Sequence, residues 1–485
     1  MITLLLLIPI IGSLIIMLIP ENSYQSNSRM KYIALFASLL NFLISIFIWL
    51  EFDSTTSQFQ FVYEFNQLSY CHFNLGIDGI SLYFVLLTTF ITPIAIFSNY
   101  TNITKNLKYF LISFLMLETL QILAFVSLDL LLFYVFFESV LPIIFIVILL
   151  FGHGSDRFRS AYLLFLYTLA GSLPMLLSIL LIYSYLGTTD FQLISLYNIS
   201  LDSQKIIWLG FFIAFAVKTP LYPFTIWLPK AHGDSPLAGS VILAATILKL
   251  ATYGYLRVLI NLLPDASNYF GPLVQTIAVI SIIYASLSTI IQQDTKKLIA
   301  YSSIAHMGVV VLGLFSNTIQ GIEGAILLGI AHGLVSPALF ICAGGIIYDR
   351  TGTRLIPYIK GLVTYMPIFT ILFFIFTLFN TGIPLSLNFL GEQLSLIGTF
   401  ERSPIIAILA AISIVLSACY SIYFYNRISY GSYSPNIEII KDINRREFYI
   451  LISILIPTIA LGIFPNVILE TLHVSISALL YNLPI

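Results

Sequence analysis

The chain contains few charged residues for its length. Only 9% of its 485 residues are Asp, Glu, Lys or Arg, whereas a soluble domain has about 25%. The formal net charge of -1 and the lack of any long run of like charges exclude a nucleic-acid surface and a basic lipid-surface patch. Three cysteines, Cys71, Cys342 and Cys419, are too few and too far apart for a disulfide framework or a CxxC metal site. We expect all three to be packing residues.

The chain also lacks a large hydrophilic domain. Its longest polar segments, residues 51–75 and 428–446, are too short for a nucleotide-binding fold, and no Walker or GxGxxG motif follows a strand. The N-terminal segment has no basic region and no Arg-rich amphipathic stretch, so it resembles neither a signal peptide nor a transit peptide. We therefore expect any energy source to be an ion gradient or a partner subunit.

What the chain does contain is apolar sequence. Hydrophobic residues make up 59% of it, and about 20 of them are needed for each membrane crossing. This predicts an all-α polytopic membrane protein with about fourteen transmembrane helices. Its domains would be N-terminal spans 1–3 (residues 1–107), spans 4–8 (108–262), spans 9–13 (263–427), and a loop with span 14 (428–485).

The basic residues support this count. Loops after odd-numbered spans hold sixteen of the 21 Lys and Arg, whereas loops after even-numbered spans hold Lys205, Arg257 and Arg402. Basic residues are concentrated on the inner side of membrane proteins. The pattern therefore predicts that both termini face the outer side.

Charged and imidazole side chains also occur within the predicted spans. A charge at the bilayer centre costs about 2.5–3.5 kcal/mol, so such residues are expected to be functional. The alternative for each residue is a structural polar group whose hydrogen bonds are satisfied and which transfers no proton. The functional and structural interpretations are most evenly balanced for a single histidine and for Glu118. His232, near the inner end of span 7, fits a proton entrance and a capped turn equally well. The residues near mid-depth are Glu118, Glu138, Lys218, Lys249, His306, His332 and Glu392.

Two predicted spans are interrupted in corresponding positions. Span 7 has Pro220 and Pro223 directly after Lys218, and span 12 has Gly382 and Pro384 before Glu392. Broken helices at matching positions of two repeats indicate a transporter site near the midplane. The breaks lie five spans apart, which predicts two five-helix repeats, spans 4–8 and 9–13. An odd repeat length makes the second copy inverted.

Four motifs carry a family resemblance. They are FFESVLPIIF, AFAVKTPLYPFTIWLPKAHGDSP, DTKKLIAYSSIAHMG and GIAHGLVSPALF. Together they resemble the antiporter-like, proton-pumping membrane subunits of mitochondrial respiratory complex I. The glutamate at position 392 is typical of the chain 4 subfamily. The related chains 2 and 5 of the same complex carry lysine at that position. The resemblance extends from about span 3 to span 13.

The resemblance implies a proton-translocating subunit of NADH:ubiquinone reductase with no redox chemistry of its own. NADH, FMN, iron–sulfur clusters and ubiquinone would bind other subunits, and this chain would hold no cofactor or metal. The partners implied are neighbouring antiporter-like chains and inner-membrane lipids, without nucleic acid. The roles implied are proton transfer for Glu138, Lys218, Lys249 and Glu392, and relay for His306 and His332, to which Glu118 and His232 are added from their positions.

Other interpretations remain open at this point. A subunit of a multi-subunit sodium/proton antiporter has similar core motifs and would need no NADH-oxidising arm. A membrane scaffold without ion transport would have mid-depth groups that are mutually saturated and dry. The location implied is the mitochondrial inner membrane, with both termini on the intermembrane-space side, and a bacterial plasma membrane is the alternative.

Overall fold

The computed structural model describes residues 1–21, 23–65, 73–154, 156–432 and 440–481. These form two compact units. The first comprises Met1–Thr219, Thr246–Gly271 and the C-terminal segment from Glu470, and the second comprises Pro220–Ala245 and Pro272–Leu469. The predicted repeat boundaries stay a prediction, and each unit is described by itself.

The helices in the first half of the chain begin and end as follows. They are α1 (Ile2–Leu18), α2 (Tyr24–Glu51), α3 (Gly79–Ser98), α4 (Leu107–Val126), α5 (Leu130–Phe151), α6 (Arg157–Leu186), α7 (Phe191–Ser195), α8 (Leu201–Lys218), α9 (Trp227–Asp234), α10 (Leu237–Ile242) and α11 (Leu248–Gly254).

The second half of the chain is also mostly helical, and its helices have the following bounds. They are α12 (Pro264–Ile291), α13 (Thr295–Leu314), α14 (Ile319–Phe340), α15 (Tyr348–Thr351), α16 (Pro367–Asn380), α17 (Leu387–Arg402), α18 (Pro404–Ser429), α19 (Arg445–Ile463) and α20 (Asn466–Tyr481). Short 3-10 turns lie at Ile356–Tyr358 and Leu362–Thr364, and π-helical segments at Leu243–Ile247, Tyr255–Ile260 and Ile341–Ile347.

The predicted fold class is confirmed. Within the described residues, eleven helices are long and apolar enough to cross a membrane, counting Leu237–Ile260 and Ile319–Thr351 as continuous spans. The other three predicted spans also contain helix: α1 is shorter, and spans 7 and 12 are divided into α8 with α9 and α16 with α17. Both divisions fall at the predicted breaks.

The elements that were not predicted include a β-hairpin and the last helix. A β-hairpin, β1 (Gln60–Phe65) and β2 (Phe73–Ile77), lies in the polar segment after α2. The short helix α20 follows the last predicted span and packs on α3, where a Cβ on Gly79 would lie 2.5 Å from the carbonyl oxygen of Thr471. Only glycine at position 79 allows this approach.

Aspartates lie at the start of two of the spans. An Asp78 carboxylate oxygen accepts the backbone N–H of Ser81 at 2.9 Å, and one of Asp129 accepts that of Leu131 at 2.8 Å. Such caps satisfy N–H groups that have no partner within the helix. They fix where α3 and α5 start.

The cysteine prediction was only partly right. Cys342 is buried in a π-helical segment, whereas Cys419 is exposed. The reason is that α18 buries one face, which includes Ser417 and Tyr420, and Cys419 lies on another. Cys71 lies outside the described residues.

Candidate functional site

Small side chains position the end of α8 in the first unit. A Cβ on Gly171 of α6 would lie 3.0 Å from Val217, next to Lys218. The hydroxyl of Ser178, also on α6, donates to the carbonyl of Ile207 at 3.0 Å. Small residues let membrane helices approach closely. The α6–α8 contact therefore fixes the position and orientation of the last turn of α8 relative to α6.

Lys218 is the last residue of α8, and its side chain is buried with 2% exposure. Its ammonium donates to the carbonyl oxygen of Phe137 at 2.7 Å and lies 3.3 Å from the centroid of the Phe137 ring. A desolvated cation–π contact contributes about 2 kcal/mol. One carbonyl and one aromatic face thus stabilise the ammonium inside the membrane.

The predicted partner, Glu138, follows Phe137 directly. Its partly exposed side chain interacts electrostatically with Lys218 and hydrogen-bonds with Ser172. Among the described residues, Glu138 and Lys218 form no direct ion pair; the ammonium bonds the neighbouring carbonyl instead. Pro142, one turn later, has no N–H to donate to the Glu138 carbonyl, so this turn of α5 is loosened beside the charged pair.

Lys249 lies in a span whose helical hydrogen bonding changes twice. The π-helical segments Leu243–Ile247 and Tyr255–Ile260 flank α11, and Lys249 is completely buried. Short π segments within α-helices often occur at functional sites. The hydroxyl of Thr246 contacts the Gln121 side chain at 2.9 Å, which ties this span to α4.

Glu118 has contacts that favour its structural interpretation. Its buried carboxylate accepts a hydrogen bond from the Asn41 amide at 2.7 Å and a second from Thr92. These partners lie on α2 and α3, so the carboxylate ties three helices together. A proton role for this residue remains a prediction.

In the second unit, two of the predicted residues are in direct contact. Nδ1 of His306 lies 3.0 Å from Oε1 of Glu392, with both side chains buried. The His332 ring centroid is 5.9 Å from that of His306. The hydroxyl of Tyr420 is buried nearby and interacts electrostatically with Glu392. The structure thus brings His306, His332 and Glu392 into one cluster.

The break in span 12 shapes this cluster. The chain leaves α16 at Asn380 and resumes helix at Leu387, with Gly382 at a φ of 73°. A Cβ on Gly382 would lie 2.9 Å from Oε2 of Glu392. Glycine is therefore required both by the left-handed backbone and by the carboxylate. Ser386 then caps α17 by accepting the Phe389 N–H at 3.3 Å.

Asn388 is a site residue that the sequence did not single out as functional. It is completely buried one turn before Glu392, and neither its amide nitrogen nor its oxygen has a hydrogen-bond partner among the described residues. Buried amides normally have partners, which water can supply. Its location shortly after the break at Gly382 and Pro384 is the sequence signal that could have identified it.

His232 lies at a different place in the second unit. Its ring is fully buried and stacks on Phe340 with centroids 4.5 Å apart. Nearby, the buried ammonium of Lys296 donates to the carbonyl of Ser235 at 2.9 Å, and Arg354 donates to the carbonyl of Gly233. Lys296 lies in the first turn of α13, and its side chain turns inward.

Comparisons with known proteins agree with this architecture. Residues 127–417 match the family described as NADH:quinone oxidoreductase/Mrp antiporter, transmembrane. NADH-ubiquinone oxidoreductase chain 4 of Mycosarcoma maydis is 60% identical over 482 residues, which cover 99% of this chain and 100% of that protein. The Arabidopsis thaliana chain 4 is 48% identical, covering 99% and 96%. The chain belongs to the NADH-ubiquinone oxidoreductase chain 4 family.

Solved structures show the same fold. A chain of respiratory complex I from Thermus thermophilus with bound NADH superposes with a TM-score of 0.90 at 28% identity, covering 100% of both chains. A chain of an archaeal membrane-bound sulfane sulfur reductase gives a TM-score of 0.84 at 22% identity, covering 95% of this chain and 75% of that one, and it supports the fold alone. The predicted resemblance is confirmed, and with it the class of function: an antiporter-like, proton-translocating membrane subunit of complex I.

Proposed function

We propose that this chain translocates protons through its buried Glu, Lys and His side chains, driven by NADH:ubiquinone electron transfer in other subunits. The burial and contacts of Lys218 are the observation that supports giving these residues a proton-transfer role. Lys218 is buried at the end of a broken helix, where the Phe137 carbonyl and ring hold its ammonium. Glu138, which follows Phe137 in the chain, is the carboxylate that controls whether Lys218 holds its proton.

The chemistry of this pair suits proton transfer. Burial favours the neutral amine, whereas a carboxylate nearby favours the ammonium. Two charges about 4 Å apart at an effective dielectric of about 20 interact by about 4 kcal/mol. A small movement of Glu138 toward or away from Lys218 therefore changes whether the lysine holds or releases its proton. Arginine does not perform this role, because it is not deprotonated in proteins.

The cluster of His306, His332 and Glu392 supplies the proton-transfer groups of the second unit. A neutral imidazole has one donor and one acceptor nitrogen, so His306 and His332 can pass a proton in either direction. Glu392, which His306 contacts at 3.0 Å, is the carboxylate in which that relay ends. In this proposal Lys249 is a further proton-transfer group of the first unit, and His232 with its basic neighbours serves as an entrance in the second unit.

Membership of the family supports a more specific proposal for the complex and membrane in which the chain works. The chain works as one membrane subunit of the proton-translocating NADH:ubiquinone reductase and carries out no redox step itself. NADH, FMN, iron–sulfur clusters and ubiquinone are bound by other subunits, and neighbouring antiporter-like chains are its partners. The membrane is the mitochondrial inner membrane, with both termini on the intermembrane-space side, as the basic residues favour.

The test uses membrane vesicles that contain the assembled complex with Lys218→Ala. NADH-driven proton uptake is followed with a pH-sensitive dye in media with sodium and with choline in its place. The proposal expects loss of uptake in both media while assembly on native gels is retained. Transport that requires sodium would favour a sodium/proton antiporter, and normal proton uptake by the assembled variant would favour a scaffold; either result overturns the proposal.

A further inference from the structure

A polar cavity of about 190 Å³ opens at one end of the first unit. It lies at the end of the helices where the sequence places few basic residues. Asp78, at the start of α3, and Arg257, in the π-helical segment after α11, both line it. Other lining residues are Ser57, Phe59, Gln192 and Asn261.

An ion pair forms part of the cavity wall. Nη2 of Arg257 lies 2.5 Å from Oδ2 of Asp78, with side chains 8% and 5% exposed. Oδ1 of Asp78 accepts the N–H of Ser81, so the carboxylate is fixed by both oxygens. A buried pair of this kind is weak evidence for stability, because desolvation offsets much of the attraction. Its location between a cavity and the helix of Lys249 calls for another explanation.

Tyr253 contacts this pair and lies one helical turn from the buried Lys249. Its hydroxyl accepts a hydrogen bond from Nε of Arg257 at 3.2 Å. Lys249 and Tyr253 are four residues apart in α11, so they share one helix face with a rise of about 6 Å. The rings of Phe84, Phe125 and Phe133 surround Tyr253, with centroids 6.2, 5.5 and 6.0 Å from its own. Lys249, Tyr253 and Arg257 thus follow one another at four-residue spacing, and aromatic rings surround the middle one.

We propose, building on the proposed function, that Lys249, Tyr253 and the Asp78–Arg257 pair form an exit path that carries protons from mid-depth to this cavity. The ammonium of Lys249 gives one proton toward the Tyr253 oxygen, and the Tyr253 hydroxyl passes its own proton to the Asp78 carboxylate. The neutral Asp78 separates from Arg257 and releases the proton to the cavity, which restores the carboxylate and the ion pair. The closed pair blocks return.

Two conservative variants of the assembled complex test the path. Tyr253→Phe keeps the ring packing and removes the hydroxyl. Asp78→Asn keeps an N-cap oxygen for Ser81 and removes the charge, because Asn caps helices as well as Asp does. We expect NADH-driven proton transport to fall about tenfold in both variants, a loss of about 1.4 kcal/mol in transition-state stabilisation. Asp202→Asn is the matched control, since Asp202 is exposed and pairs only with the nearby Lys205 among the ion pairs of the described residues.

A third variant separates a gate from a merely structural pair. Arg257→Met leaves Asp78 without its cation, so a pH gradient imposed across resting vesicles is expected to decay faster than in the parent. The proposal is overturned if the assembled Tyr253→Phe complex transports protons at the parent rate, whatever happens to the other variants. If Lys218→Ala abolishes transport while Tyr253→Phe does not, only the exit path fails; if Lys218→Ala transports normally, the proposed function itself fails.

Discussion

Nδ1 of His306 lies 3.0 Å from Oε1 of Glu392, and both side chains are buried. The contact joins α13 to α17 directly after the second helix break. The terminal acceptor of the proposed relay is therefore an imidazole–carboxylate unit.

Glu392→Gln is expected to damage proton transport more than assembly. The substitution keeps the volume and hydrogen-bonding capacity of the side chain but removes the charge that stabilises a protonated His306. We expect NADH-driven proton transport to fall by about tenfold or more, a typical loss for a proton-transfer group. Dye quenching in vesicles, normalised to assembled complex on native gels, measures this.

Glu401→Gln is the matched control for this prediction. Glu401 lies on the same helix, α17, but is exposed. The control variant should transport protons at the parent rate. Equal transport by the Glu392→Gln and Glu401→Gln complexes would show that the buried carboxylate has no role in proton transfer.

Glu138→Gln is expected to slow electron transfer and proton transport together. Without the carboxylate, the ammonium of Lys218 retains only the Phe137 carbonyl and ring, so the driving force for loading its proton falls. A blocked path should stall the redox arm, and both rates should drop about tenfold. Parallel assays of NADH:ubiquinone reduction and dye quenching test this, with Ser139→Ala as the neighbouring control. A normal proton-to-electron ratio at normal rate would contradict the prediction.

Gly254→Ala is expected to disturb the contact between α8 and α11. A Cβ at this position would lie 2.5 Å from the Phe215 ring, three residues before Lys218. Overpacking of this kind typically costs about 1–3 kcal/mol. The amount of assembled complex and its thermal stability should fall, whereas Gly271→Ala should have no effect because no atom lies within 4 Å of the added Cβ. Equal stability of the two variants would contradict the packing described.

Asp129 provides a test of helix capping. Its carboxylate accepts the N–H groups of Leu131 and Leu132 and the hydroxyl of Thr189. Asp129→Ala should destabilise the chain by about 0.5–2 kcal/mol, and Asp129→Asn by less, because Asn also caps helices. Thermal unfolding of the detergent-solubilised complex measures the order of the two variants. The reverse order would show that charge, rather than capping, matters here.

Much of the fold could be predicted because membrane helices follow from local composition. Hydrophobic length and the distribution of basic residues located the spans, and the Gly and Pro clusters located both helix breaks. The hairpin of β1 and β2 was missed because its sequence reads as a polar loop. The π-helical segments around Lys249 were missed because Leu243–Ile247 and Tyr255–Ile260 have ordinary apolar helical sequence, and tertiary packing decides their hydrogen bonding.

The site was predictable as a set of residues but not as a set of contacts. Counting depth along each span found Lys218 and Glu392, since an ionisable group in an apolar run is conspicuous. The sequence did not show that Lys218 bonds the carbonyl of Phe137, because a backbone partner leaves no signature. Arg257 was assigned to a loop since it lies near the end of its span, and only the fold places it against Asp78.

The most direct test of the central claim is Lys218→Arg in the assembled complex. Arginine keeps the positive charge but does not release a proton. NADH oxidation by an artificial acceptor reports that the redox arm is intact, and the rate of proton transport with ubiquinone as acceptor is measured in the same vesicles. The account predicts an intact redox arm with ubiquinone-coupled proton transport reduced about tenfold or more. Parent-level transport by the arginine variant would contradict it.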